Sequence, residues 1–177
     1  MVSTVSIGAV QLGYALGSWN TVALAYSKKD GWYNDPVKIL IVQSMTIAGV
    51  ATGALLSGNI TKFGRWTSLI IANVVLIIGV LISFIDKYEL LCLGRLIYGL
   101  GSGSFSVLVP LFINETAPIE IKGPLGALTE IGISIGVLIV FSVGVGIGDP
   151  DEDEVDSFEI QYYWYILFAI PLLISAV

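Results

Sequence analysis

Histidine is missing from the 177 residues altogether, and the single cysteine, Cys92, lies inside an apolar run. A disulfide framework and a histidine-built metal site are thereby excluded. Charge is also scarce. Only 12% of residues are Asp, Glu, Lys or Arg, about half the share of an ordinary soluble domain. No phosphate-binding loop ending in Lys and Ser/Thr occurs, no nucleophile and base stand at a supporting spacing, and no basic patch suits nucleic acid. Gly99, Gly101 and Gly103 have a nucleotide-loop look, but they fall within an apolar run where close helix packing explains them better. No catalytic residue, metal or cofactor is expected, and the chain is not read as an enzyme.

What is abundant is apolar surface. Hydrophobic residues make up 55% of the chain and the mean hydropathy is +0.88. Six apolar runs can be marked: Val5 to Tyr26, Ile39 to Ser57, Ser68 to Ile85, Leu90 to Ile113, Leu125 to Ile147 and Tyr162 to Val177. Each approaches the roughly 20 residues that cross a hydrocarbon core as a helix. The expectation is an all-α, multi-pass integral membrane protein in a plasma or internal membrane, with the lipid bilayer as its first partner. Met1 to Thr4 has no basic lead-in and the first run contains Gln11 and Asn20, so it reads as retained rather than as a signal peptide. The last run is short and meets Val177, so the chain is expected to stop before a natural end. The net charge of −6 owes much to one segment, Asp149 to Glu159, which holds seven of the fourteen acids and reads as a solvated hairpin. Trp32, Tyr33, Trp66, Tyr88 and the cluster Tyr162 to Tyr165 fall near run ends, as headgroup anchors do. Tyr14, Trp19, Tyr98 and Phe105 lie deeper.

Small residues four apart let helix backbones approach closely in lipid. Gly13 and Gly17, Gly49 and Gly53, Gly99 and Gly103, and Gly132 and Gly136 have that spacing in the first, second, fourth and fifth runs. The third and sixth lack it and are rich in Ile, Val and Leu. The order close, close, lipid-facing is thus given twice. Two three-helix units in inverted repeat are the architecture this predicts.

Two charges stand inside these runs, Arg95 and Glu130. Each costs roughly 2.5–3.5 kcal/mol at a helix centre even on the lenient insertion scale, so both are functional candidates and the chain reads as a pathway through a membrane. The segment GRLIYGLGSG, from Gly94, is followed by Pro110, Phe112, Glu115 and Pro118 in PLFINETAP and then by Lys122-Gly123. In that order these residues resemble the fourth and fifth helices of the sugar porter family of the major facilitator superfamily. Gly58, Gly64 and Arg65 in GNITKFGRW resemble the superfamily's loop between helices two and three, and Gln11, Gly13 and Tyr14 fit the first helix loosely. The resemblance covers nearly the whole chain but only the first six of the family's twelve helices, one half of the major facilitator fold.

That resemblance implies a carrier of a hexose or similar polyol working by alternating access. Gly58, Gly64, Arg65, Glu115 and Lys122 become gating residues, with Arg65 able to pair with Glu115 as a latch. Thr61 stands where the family carries Asp, and Trp66 where a second basic residue follows the arginine. Glu130, Gln11, Trp19 and Ser134 form the expected substrate-binding set. At position 130 the family usually has Gln, which both donates and accepts, whereas a carboxylate only accepts unless protonated. Proton symporters of the family have a first-helix Asp near the fourth-helix Arg; here that position is Ala15, which favours facilitated diffusion and leaves Glu130 as the acid for a symport alternative. Half a family fold has half a cavity, so a second six-helix half or a homodimer is the expected partner, with a non-transporting membrane module as the reading of another class. With both termini in the cytosol, Lys62, Arg65 and Lys122 are inside and Lys28, Lys29, Lys38, Lys87 and Arg95 outside, five against three relative to the positive-inside rule.

Overall fold

The structure is a computed structural model that describes residues 2–29, 35–85, 87–118, 120, 122–145 and 167–175. Among these residues the regular elements are helices: α1 (Val2–Lys29), α2 (Pro36–Ile60), α3 (Arg65–Ser83), α4 (Tyr88–Thr116) and α5 (Lys122–Val145), then α6 over residues 167–175. The acidic segment 149–159 and the aromatics Trp32, Tyr33 and 162–165 lie outside the described residues.

Most of the helices outrun the apolar stretches that announce them. Helix α4 has 29 residues, about 43 Å at 1.5 Å per residue, so its ends pass beyond a core of about 30 Å. Pro36 sits in the first turn of α2, where its missing N–H is harmless. Between α2 and α3 a single 3-10 turn, Thr61–Phe63, leads to Gly64 at φ 102° and ψ 149°, a conformation reserved for glycine. Ser68 Oγ donates to Ile60 O at 2.8 Å and to Gly64 O at 2.7 Å, tying the end of α2 to the start of α3. Among the described residues, four helices, spanning Pro36–Phe63, Arg65–Ser83, Tyr88–Thr116 and Lys122–Gly144, are long and apolar enough to cross a membrane.

Helix α4 is the hub, packing on α2, α3 and α1, while α5 packs chiefly on α1. Glycines of the spaced pairs make these contacts, both members of each pair between α2 and α4 but only Gly13 and Gly136 between α1 and α5, where Gly17 touches just the Val140 side chain. A Cβ on Gly49 would lie 2.3 Å from Leu96 O, one on Gly53 2.2 Å from Leu100 O, and one on Gly103 2.1 Å from Val50 O, so α2 and α4 touch backbone to backbone. Likewise Gly13 faces Ile133 O at 2.0 Å and Gly136 faces Val10 O at 2.1 Å across α1 and α5. Exchanging the two three-helix units turns the α2–α4 contact into the α5–α1 contact, as an internal repeat requires. Most packing crosses between the units; α1 with α2, and α4 with α5, meet only lightly.

One expectation needs correcting. The third helix is not held at a distance from its neighbours: a Cβ on Gly79 would meet Tyr98 N at 2.3 Å, and Gly101 and Gly94 press on Leu76 and Ser83. Close approach needs a small residue at each crossing point but not a pair four apart on one helix, and here α4 supplies most of them. The opposite face of α3, with Ile70, Val74, Ile78 and Leu81 at helical spacing, is exposed and apolar, as a lipid-facing side should be.

Candidate functional site

The polar side chains expected at the site fall into three places. The first is a buried junction. Arg95 is 1% exposed; its Nη1 donates to Ser18 Oγ at 3.1 Å, and its guanidinium lies 4.9 Å from the ring centroid of Trp19 and 4.5 Å from that of Phe168. Helices α4, α1 and α6 meet there. Two aromatic faces and a hydroxyl accept the charge in a way suited to a planar, weakly hydrated cation, which Lys would not match. Trp19 is itself buried and its Nε1 donates to Ile39 O of α2 at 3.2 Å.

Gln11 is also at 1% exposure. Its Nε2 donates to Pro171 O at 3.0 Å and to Ser175 Oγ at 2.7 Å, both on α6. Gln11 and Trp19, expected to bind substrate, thus stand in helix interfaces in this conformation with their donors engaged by neighbouring helices. Sequence gave no sign of this, since the partners are 160 and 20 residues away in the chain.

The second place is an open groove along α5. Glu130 and Ser134 are exposed one turn apart, and Ser134 Oγ donates to Glu130 O at 3.0 Å. Beyond them a groove of about 550 Å³ is lined by Ile133, Ser134, Val137, Leu138, Phe141 and Ser142. Its lining is an apolar bed with a few hydroxyls, open on the side away from the bundle. Glu130, Ser134 and Ser142 share the face of α5 turned away from the bundle.

The third place is the end of the bundle. Arg65, the first residue of α3, donates from Nη2 to Glu115 Oε1 near the end of α4. Beside it Trp66 meets Phe112 edge to face, with centroids 6.2 Å apart at 70°. This aromatic contact was not foreseen; the departure of Trp66 from a basic residue was the available signal. Gly64 is placed by its backbone angle, whereas Gly58 has open space where a Cβ would go. Lys62 Nζ donates to Asn59 Oδ1 at 3.2 Å, and Lys122 forms no ion pair among the described residues.

Three comparisons bear on this geometry. A family model described as "Sugar (and other) transporter" matches residues 1–177. The chain is 36% identical over 142 residues to a probable plastidic glucose transporter 1 of Arabidopsis thaliana, covering 77% of this chain and 26% of that protein. It is 31% identical over 153 residues to facilitated glucose transporter member 3 of solute carrier family 2 from Oryctolagus cuniculus, covering 77% of this chain and 31% of that one. In fold it is similar to the crystal structure of a D-xylose-proton symporter, with a TM-score of 0.74 and 22% identity over 99% of this chain and 46% of that structure. The chain spans about a quarter to a third of these relatives' length and just under half of the solved structure.

Proposed function

Since the chain belongs to the sugar (and other) transporter family, we propose that it is one six-helix half of a carrier that moves a hexose or similar polyol across a membrane by alternating access, as facilitated diffusion. The observation that carries this reading is the α5 groove. A carboxylate and two hydroxyls lie on the one face of the helix that the bundle leaves uncovered, and they offer acceptors to which a sugar's hydroxyls can donate once that face is sheltered. The other wall would come from a second six-helix half or a second copy of this chain. Glu130 and Ser134 are the residues placed to touch the sugar, with Gln11 and Trp19 behind the wall.

The latch supplies the gate. An exposed Arg–Glu pair contributes about 0–1 kcal/mol. A bistable element needs a bias of only that order, and the Trp66–Phe112 contact adds to it. Arg65, Glu115 and Gly64 act there; Gly58 and Lys122 are peripheral to it in this conformation. Facilitated diffusion is favoured because Arg95 sits among Ser18, Trp19 and Phe168, and Ala15 brings no carboxylate to it. Proton symport is the second reading, favoured by one observation: Glu130 stands on the uncovered face.

Uptake of radiolabelled hexose into proteoliposomes tests both. Saturable uptake indifferent to a protonophore is the expected result; uptake abolished by the protonophore would turn the reading to symport. Glu130→Ala should raise the hexose KM roughly tenfold or more, the worth of a hydrogen bond to a charged group. A Glu130→Gln variant with unchanged uptake and unchanged pH profile would remove this residue from the site.

A further inference from the structure

Gln11 and Tyr14 share one feature that sugar binding does not account for: both donate to α6 around Pro171. Proline has no N–H, so the carbonyl four residues earlier, Leu167 O, loses its intrahelical donor. In a hydrocarbon core water cannot replace it, and a neighbouring helix has to. Tyr14 Oη does so at 2.5 Å. One turn further along α6, Gln11 Nε2 donates to Pro171 O and Ser175 Oγ. From the third side Asn73 Nδ2 of α3 donates to Ser175 O at 2.9 Å. Positions 167, 171 and 175 repeat every four residues, so these bonds form a strip along one face of α6. Order reverses between partners, 14 with 167 and 11 with 171 and 175, which makes α1 and α6 antiparallel at this strip. Tyr14, Leu167 and Gln11 are essentially buried.

We propose that Tyr14 and Gln11 are positioning residues that complete the backbone of α6 at Pro171, so that α1 and α6 move as one body whose point of bending is the missing rung. Tyr14 supplies the hydrogen bond that residue 171 cannot. Gln11 fixes the register of the two helices, and Asn73 attaches α3 to the same turn. For transport, which rests on the function proposed above, the consequence is a set of residues that govern the rate of conformational exchange without touching sugar.

The test is a double-mutant cycle read by hydrogen exchange on the purified chain in nanodiscs, which requires no transport. Tyr14→Phe removes only the hydroxyl and should speed amide exchange over residues 167–175 by about two- to tenfold, the range of one net hydrogen bond. Pro171→Ala restores an N–H for Leu167 O. In that background Tyr14→Phe should change exchange by less than about twofold, because the carbonyl is then served within its own helix. Equal effects of Tyr14→Phe in both backgrounds would overturn the proposal, as would no effect in either. In hexose uptake Gln11→Leu should lower Vmax and leave KM within about twofold; a raised KM with Vmax intact would put Gln11 in the sugar site and overturn its positioning role.

Discussion

The two charges within apolar runs stand in opposite surroundings, Arg95 enclosed between helices and Glu130 exposed on α5. Arg95 is enclosed by Ser18 and two aromatic rings at a junction of three helices. Glu130 lies on the face of α5 that this bundle leaves open. The sequence marked both as charges in spanning runs but could not tell them apart, since the distinction depends on Trp19 and Phe168 being brought to one of them from 76 and 73 residues away. The Arg65–Glu115 ion pair was more legible. Arg65 and Glu115 each close a short connection on the same side, so the alternation of helices alone brings their ends together. Gly58, inside the last turn of α2, and Gly64, in the turn beyond it, make a sharp contrast. Gly64 at φ 102° has a backbone other residues avoid, so Gly64→Ala should destabilise by about 1–3 kcal/mol, whereas Gly58→Ala, helical and with nothing within 4 Å of the new Cβ, should leave the melting temperature in detergent unchanged or slightly raised. Equal shifts in the two variants would show that the turn does not depend on this conformation.

At the scale of elements, backbone contact between helices is the main source of cohesion, because lipid is as apolar as the side chains and offers no solvent penalty to escape. Gly49→Ala pushes a methyl group against Leu96 O and Gly99 Cα; neither can withdraw, and overpacking of this kind costs about 1–3 kcal/mol. Gly126 on the open side of α5 meets nothing, so Gly126→Ala should be neutral or slightly stabilising, as Ala is the better helix former. Thermal unfolding of the two variants measures the difference, and a tolerated Gly49→Ala would mean that α2 and α4 are less tightly apposed. The paired glycines were readable because spacing of four is itself the packing motif. Contact of α3 with α4 was not, since its small residues, Gly79 on one helix and Gly94 and Gly101 on the other, form a pattern only after the two are laid side by side. Nor could any local pattern show that Gln11 and Tyr14 complete α6, for the reason lies in a proline at position 171.

For the molecule as a whole, enclosure of Arg95 changes the orientation count. A buried guanidinium belongs to neither aqueous side, so the comparison becomes four basic residues against three, with the family orientation still on the smaller side. Two glycosylation sequons decide it. Asn59-Ile-Thr and Asn114-Glu-Thr lie at the same end of the bundle, and both asparagines are exposed. With that end in the cytosol, expression in a glycosylating host should leave both unmodified, and a glycosidase-sensitive mass shift would invert the topology. Interleaving of the two repeats has a further consequence, for biosynthesis. While α1, α2 and α3 leave the ribosome, the surfaces they will bury have no mate: Gly13 awaits α5, and Gly49 and Gly79 await α4. Until α4 and then α5 are inserted, α1, α2 and α3 therefore lack most of the backbone contacts that hold them in the finished bundle.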